Sequence, residues 1–338
     1  MNPGSPSLLK HFVREGVLRN RGLTKAVTVL LSWAVIRTLR GDEPGPDGDA
    51  AGFFLILFAV ICWIFVCILG NDLADRAEDR AAGKRRWITG LPLPAGLFAV
   101  LTLFGAGLGA IFASGAPLAA GIAYITASAS GLLYSVAPYR FKRRGAWGFL
   151  FYGLAAAAAY AILPWAWMGG STAILIALAP AVFLDKWVNI HFHQIIDHAS
   201  DARLGTRTYA VRVGTERARK TLRLASGIAT AWFAGVIICL SMALTSGWKL
   251  AVPAACVLVV LASAYYSKAS KRRSGAESPL VQKLSFIYLG TSYALFRVVP
   301  LILMVRLALR VPALTAPAAA GVLLVGIESL FVYSYRYE

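Results

Sequence analysis

Long apolar runs dominate this sequence and restrict what it can fold into. Hydrophobic residues make up 58% of its 338 residues, charged residues only 15%, and the mean hydropathy is +0.65. A helix that crosses a bilayer needs about 20 apolar residues, and ten stretches approach or reach that length. They lie at about 23–40, 51–70, 93–113, 117–137, 146–166, 171–190, 223–245, 249–267, 284–305 and 311–333. The sequence therefore predicts a polytopic membrane protein.

These stretches favour helices over barrel strands, because they show no alternation of apolar and polar residues. We expect an all-α bundle of nine to ten transmembrane helices. The first stretch is short and contains Arg37, so it is either a tilted span or an interfacial helix. Arg297 falls inside a predicted span, where we expect it to turn towards an internal cavity or a neighbouring carbonyl group.

The basic residues predict how the chain is oriented. If the N-terminus is cytoplasmic and all ten stretches cross, 28 of the 34 lysines and arginines fall on the cytoplasmic side. The basic residues behind the net charge of +18 therefore follow the membrane topology. The sequence contains no basic domain and no motif for binding nucleic acid. We expect an integral, multi-pass protein, located in a bacterial inner membrane.

Two stretches that end apolar runs carry the same acidic pattern, with an offset of 122 residues. The matching pairs are Asp75 and Asp197, Asp79 and Asp201, Gly83 and Gly205, and Arg85 and Arg207. Acidic residues are scarce in this chain, with 16 against 34 basic ones. Carboxylates paired at a helical spacing in both stretches therefore indicate a functional site rather than two solvated loops.

The carboxylates of each stretch share one face of a helix. Asp72, Asp75 and Asp79 are three and four residues apart, and Asp197 and Asp201 in the second stretch are four apart. Such clusters repel one another at a membrane boundary unless cations neutralise them. Oxygen ligands favour Mg2+, which leaves positions open for water and for substrate phosphate. The two motifs together predict a site for Mg2+ and a diphosphate.

Basic residues in the neighbouring loops fit the same ligand. Lys84 and Arg85 follow the first motif, Arg207 follows the second, and Lys142 and Arg143 lie in the predicted loop between them. Lysine and arginine side chains bind phosphate oxygens through charge-assisted hydrogen bonds. We predict that these five residues hold the diphosphate.

Three motifs, in their order along the chain, resemble the UbiA superfamily of intramembrane prenyltransferases, over about residues 20 to 305. NDLADRAED runs from Asn71 to Asp79. LYSVAPYRFKRRGAWG at 133–148 comes next, and DHASD from Asp197 to Asp201, followed by GTRT, comes last. The chain departs from many members at Trp87, where an Arg-Pro pair is usual.

The resemblance implies a bundle around a central cavity, with a cytoplasmic cap over the active site and an opening to lipid. It also implies Mg2+-dependent transfer of an isoprenyl group from a polyprenyl diphosphate to a lipophilic, often aromatic, acceptor through an allylic carbocation. The catalytic carboxylates would be those of Asp72, Asp75, Asp197 and Asp201. The metal ligands would be Asn71, Asp72, Asp75, Asp79, Asp197 and Asp201. Substrate contacts would come from Asn71, Lys84, Arg85, Lys142, Arg143 and Arg207, with Tyr134 or Tyr139 nearby.

We expect three parts in the chain: a cytoplasmic N-terminal segment at 1–22, a prenyltransferase-like domain at 23–305 and an additional C-terminal transmembrane helix at 306–338. A terpene cyclase of the same fold is the nearest alternative function, because it differs only in how the carbocation is captured. A transporter is a further alternative. Its binding site would lie near the bilayer midplane, whereas these motifs lie at the ends of spans.

Overall fold

The computed structural model describes residues 25–40, 50–81, 86, 88–274 and 286–334, and these ranges are helical with no β-strand. The long helices are α1 (Val27–Arg40), α2 (Ala50–Ala74), α4 (Leu93–Ala113), α5 (Leu118–Ser135), α6 (Ala146–Met168), α7 (Thr172–Ile196), α10 (Thr215–Ala243), α11 (Ser246–Ser274), α12 (Phe286–Arg310) and α13 (Thr315–Ser334). The short helices are α3 (Arg76–Ala81), α8 (His198–Arg203) and α9 (Tyr209–Val213).

Eight of these helices are long and apolar enough to cross a bilayer: α2, α4, α5, α6, α7, α10, α11 and α12. The predicted all-α membrane bundle is therefore confirmed. The first apolar stretch becomes α1, which has only 14 residues and is almost entirely buried by other helices. The last stretch becomes α13, a shorter apolar helix within the described residues.

The long helices pack in a ring. Neighbours along the chain pack on each other, as α2 does on α4, α6 on α7 and α11 on α12. The ring closes where α12 contacts α1, and α13 packs on the outside of both. Gly290 shows how close these contacts are, since a Cβ atom there would lie 2.8 Å from the Cα atom of Val260. Small residues allow helices to approach in this way.

Two spans contain a π turn, and a proline explains each one. The turn at Ala158–Ile162 precedes Pro164 in α6, and the turn at Ala294–Val298 precedes Pro300 in α12. A proline inside a helix lacks the N–H group and its ring clashes with the carbonyl four residues earlier. The wider π turn relieves that clash and lets the helix continue.

A buried ion pair joins α12 to α13. The guanidinium Nε of Arg297 donates to a carboxylate oxygen of Glu328 at 2.7 Å, and both side chains are largely buried. The sequence left two expectations for Arg297, an internal cavity or a neighbouring carbonyl group, and in the structure its partner is a carboxylate on the last helix. The helix α12 also runs on to Arg310, across the limit expected at residue 305.

We expect Glu328→Leu to destabilise the protein, because it leaves the Arg297 guanidinium buried without its carboxylate. Loss of one partner of a buried pair costs about 3 kcal/mol. The free energy of unfolding, measured by detergent titration in mixed micelles, should fall by about that amount. The double variant Arg297→Met/Glu328→Leu should recover most of the loss. Equal stability of the single and the double variant would show that the pair does not anchor α13.

Candidate active site

The two aspartate motifs have the same local backbone. The long helix α2 is interrupted at Asp75 before α3 begins, and α7 is interrupted at Asp197 before α8 begins. The amide of Asp75 donates to the Asn71 carbonyl at 2.9 Å, and the amide of Asp197 donates to the His193 carbonyl at 2.9 Å. Four residues later, the amides of Asp79 and Asp201 donate to the carbonyls of Asp75 and Asp197, each at 2.8 Å. The sequence repeat is thus a repeat of structure.

Both motifs lie at the same end of the bundle. The loop after α5 contacts the first motif through Lys142, and the Arg212 guanidinium, which follows the second motif, donates to the Arg143 carbonyl at 3.3 Å. The Tyr134 hydroxyl at the end of α5 lies within electrostatic reach of Asp75 and Asp201. One short loop therefore connects the two motifs in space.

Two cations converge on the carboxylate of Asp75. The Lys142 ammonium lies 2.6 Å and 2.5 Å from its two oxygens and 2.9 Å from the amide oxygen of Asn71. The Arg140 guanidinium lies 2.5 Å from one of the same carboxylate oxygens. The Ser135 hydroxyl donates to the Asn71 oxygen at 2.9 Å and so fixes the amide in this orientation.

Glu78 and Arg140 belong to this cluster, although the sequence prediction left them out. The Glu78 carboxylate forms ion pairs with Arg140 at 2.8 Å and with Arg143 at 2.6 Å. Arg140 adopts a left-handed backbone conformation, with φ of 44°, which turns the loop back towards the motif. Such a conformation is uncommon outside glycine and occurs often at functional sites. A signal was present in the sequence, because Glu78 lies one helical turn after Asp75.

The surroundings shift the pKa values of the two central cations in opposite directions. Burial lowers the pKa of the Lys142 ammonium below its ordinary value, although the neighbouring Asp75 carboxylate opposes this effect. Burial also disfavours the charge of Arg140, but its hydrogen bonds to Asp75 and Glu78 outweigh that cost and raise its pKa. The ion pairs therefore keep Arg140 charged in a partly buried site.

The other two aspartates of the first motif are buried. Asp72 and Asp79 are 7% and 8% exposed. The Arg86 guanidinium lies 3.2 Å from Asp79 and also within electrostatic reach of Asp72. The first motif thus combines four carboxylates, including Glu78, with four cations from the chain that follows it. Lys84 and Arg85, predicted to hold diphosphate, lie outside the described residues.

The second motif is held by the segment that follows it. The Thr208 hydroxyl donates to the Asp201 carboxylate at 3.2 Å, and the side-chain oxygen of Gln194 accepts the Tyr209 amide at 3.1 Å. Gly205 has φ of 66° and ends α8 in the left-handed conformation that glycine adopts without strain. Asp197 itself is exposed at the break between the helices. Arg207 is exposed as well, and no described contact brings its guanidinium to the carboxylates.

The two candidate tyrosines have different positions. Tyr139 is 50% exposed and its ring stacks on Phe141 at 5.9 Å, away from the motifs. Tyr134 lies inside, where its ring is 5.5 Å from that of Tyr152. Both side chains are half-buried, and together they form an aromatic pair between α5 and α6.

The side-chain atoms of Asp75 and Asn71 that could bind a metal ion are oxygens. Among the described residues, no three His, Cys, Asp or Glu side chains converge as a complete metal cage. Carboxylate and amide oxygens of Asp75 and Asn71 nevertheless meet at one point, where the Lys142 ammonium lies. A hard, oxygen-binding cation suits such a partial ligand set, which other oxygens can complete.

Comparison with known proteins agrees with this arrangement. The model of the UbiA prenyltransferase family matches residues 90–290, more than half of the chain. That range contains the second motif and the loop with Lys142, and it begins after the first motif. None of the curated proteins matches the chain by sequence.

Several solved structures share the fold. A UbiA homologue from Archaeoglobus fulgidus, bound to DMAPP and Mg2+, is 21% identical, with a TM-score of 0.61 over 86% of this chain and 99% of the other. Its complex with GPP and Mg2+ has a TM-score of 0.58 and 21% identity, over 91% of this chain and 99% of the other. A digeranylgeranylglyceryl phosphate synthase is 15% identical, with a TM-score of 0.59 over 86% and 98% of the two chains.

Proposed function

This chain belongs to the UbiA prenyltransferase family, and from that premise we propose that it transfers an isoprenyl group from an isoprenyl diphosphate to a lipophilic acceptor within the membrane. The observation that carries this proposal is the convergence of Lys142 and Arg140 on Asp75. Cations and carboxylates meet there at the end of α5 that also carries Tyr134. The complexes of the Archaeoglobus relative with prenyl diphosphates and Mg2+ support it.

The residues at this end of the bundle fit Mg2+. We propose that Asn71, Asp72, Asp75 and Asp79 hold one part of a metal cluster and that Asp197 and Asp201 hold the other. The oxygens of Asn71 and Asp75 already surround one positive charge, that of Lys142. When bound, Mg2+ would neutralise charge on the diphosphate and thereby assist its departure.

The cations around Asp75 would also bind the diphosphate of the donor. Lys142, Arg140 and Arg143 neutralise carboxylates in the structure described here. All three side chains are long, and they lie close enough to exchange a carboxylate oxygen for a diphosphate oxygen. Because the donor brings negatively charged oxygens, each cation stays paired after the exchange, and Mg2+ would neutralise the carboxylates that the cations leave. The cations then stabilise the charge that develops on the departing diphosphate.

The aromatic pair of Tyr134 and Tyr152 suits the organic half of the donor. Breaking the carbon–oxygen bond leaves a cationic allyl group, which aromatic faces stabilise and which water would destroy. Tyr134 and Tyr152 form such a wall directly behind the carboxylates. A lipophilic acceptor entering from the membrane would capture the cation there. A cyclase would use the same wall, and it would release a cyclic product from the donor alone.

We also propose that the motif end of the bundle faces the cytoplasm, as the distribution of lysine and arginine indicates. The prenyltransferase-like unit would then comprise residues 23–305. The helix α13 would be an addition fixed to it by Glu328.

We expect Asp75→Asn and Asp197→Asn each to reduce Mg2+-dependent release of diphosphate from geranylgeranyl diphosphate by about 100-fold or more, because each removes a charge that holds the metal and the leaving group. The assay measures diphosphate with purified protein, with and without a metal chelator. Product analysis on the same samples separates transfer from cyclisation.

Glu216→Gln, in the exposed first turn of α10, is the control for loss of one carboxylate. It should retain the wild-type rate. Normal turnover by either aspartate variant, or turnover that survives chelation, would overturn the assignment of the metal site.

We expect Gly148→Ala to weaken the donor site, because a Cβ atom there would lie 3.2 Å from the Phe141 carbonyl oxygen and 3.3 Å from the Lys142 Cα atom. The turn that carries Lys142 must then move by a few tenths of an ångström. Displacements of this kind reduce kcat/KM by about tenfold. The matched control is Gly105→Ala, where nothing lies within 4 Å of the new atom. Equal kcat/KM for both variants would show that the position of Lys142 is not critical.

A further inference from the structure

The first turns of α10 carry a dense group of basic side chains on the outside of the bundle. Arg217, Arg219, Lys220 and Arg223, named here the basic face, are all exposed within the first nine residues of this helix. Glu216 is the one acidic residue in the same stretch. So strong an excess of one charge on an exposed surface requires an explanation that the active site does not provide.

The basic face differs from the basic residues of the active site in its partners. Arg140 and Lys142 both pair with the Asp75 carboxylate, and Arg143 pairs with Glu78. Within the ranges that the structure describes, no carboxylate pairs with any of the four side chains of the basic face. Their charges are therefore open to a ligand from outside the chain.

The position of the basic face within its helix favours an anionic ligand. The first turn of a helix carries a partial positive charge, so acidic residues stabilise this end and basic residues destabilise it. Arg219 and Arg223 also lie one helical turn apart, where like charges repel each other. A bound anion would offset both effects.

The length of α10 indicates the level of the basic face in the membrane. The helix has 29 residues, whereas about 20 residues cross the hydrocarbon core. Counted back from its far end at Ala243, about 20 residues reach Leu224, so the first nine extend past the core by about 13 Å. Lipid headgroups occupy about 5 to 8 Å on each side of the core. Arg223, Lys220 and Arg219 therefore lie at the level of the headgroups, and Arg217 lies at their edge.

The outer surface of α10 becomes apolar directly beyond the basic face. Leu224, Ile228 and Trp232 follow Lys220 at intervals of one helical turn, and they are 66%, 48% and 38% exposed. The indole N–H of Trp232 donates to the Ala177 carbonyl of α7 at 3.0 Å, which fixes this ring on the outside of the bundle. A ligand that covers the whole surface must combine an anionic head with hydrocarbon chains.

We propose that the basic face of α10 is a binding surface for anionic phospholipids, which place their phosphate groups against it and their acyl chains along Leu224, Ile228 and Trp232. Basic residues close to a membrane surface attract anionic lipids, and the long side chains of lysine and arginine can reach along the helix to a phosphate. Nucleic acids and soluble acidic proteins would match the charges but not the adjoining apolar surface. The inference depends on the membrane fold and not on the proposed function.

Quenching of Trp232 fluorescence by brominated lipids tests the proposal. The full-length protein is reconstituted in phosphatidylcholine bilayers that contain phosphatidylglycerol, with bromine on the acyl chains of one lipid or the other. Because the chain has nine tryptophans, each protein is compared with its Trp232→Phe derivative, and the difference reports the lipid beside this ring. Phosphatidylglycerol should bind there about tenfold more tightly than phosphatidylcholine, and Lys220→Gln/Arg223→Gln should remove most of that preference.

Two controls separate the charge of the basic face from other effects. Lys220→Arg/Arg223→Lys keeps both charges and should keep the wild-type preference. Lys249→Gln makes the same lysine substitution on the exposed surface of α11 and should keep it as well.

Equal quenching by the two lipids in the wild-type protein would overturn the proposal, even where the double variant does not fold. A folded Lys220→Gln/Arg223→Gln variant that keeps the full preference would overturn it too. Loss of phosphatidylglycerol from Trp232 on addition of equimolar geranylgeranyl diphosphate would assign the basic face to the prenyl donor instead, and that result would also overturn the proposal.

Discussion

Neutralisation of carboxylates at the membrane boundary is the constraint on which this structure depends. The first motif places four acidic groups at the end of an apolar span, where their mutual repulsion and partial burial oppose folding. The loop after α5 supplies the opposite charge, and Lys142 and Arg140 contact Asp75 directly. In the proposed function, the same cations would exchange a carboxylate oxygen for a diphosphate oxygen, and they are already in position before the ligand arrives.

The repeated helix break explains why the two motifs resemble each other. At Asp75 and at Asp197 a long span ends and a short helix begins, while the hydrogen bonds four residues apart continue. Both spans end on the same side of the bundle, and each is interrupted at the aspartate that begins the repeated pair. Gly205 closes the second motif in a left-handed turn, and Thr208 then reaches Asp201.

The bundle contains two separate sets of charged groups. One set lies at the end that carries the motifs, and the second surrounds Asp185 within α7. The second set differs from the first, because its acids and bases are joined to each other across helices α7, α12 and α13. In the proposed function a ligand replaces partners of the first set, whereas the second set joins helices of the bundle to each other.

Local patterns in the sequence determined the class of fold, the spans and the two aspartate motifs, because apolar length and helical spacing are properties of neighbouring residues. The tertiary structure alone decided which cation meets which carboxylate. Lys142 and Asp75 are 67 residues apart, and Ser292 and Asp185 are 107 apart. Pairings over such separations depend on how helices pack, and for the same reason the sequence missed Arg140 in the site and the partner of Arg297. It also left Tyr134 and Tyr139 equivalent, although packing places Tyr134 against Tyr152 of α6 and leaves Tyr139 exposed.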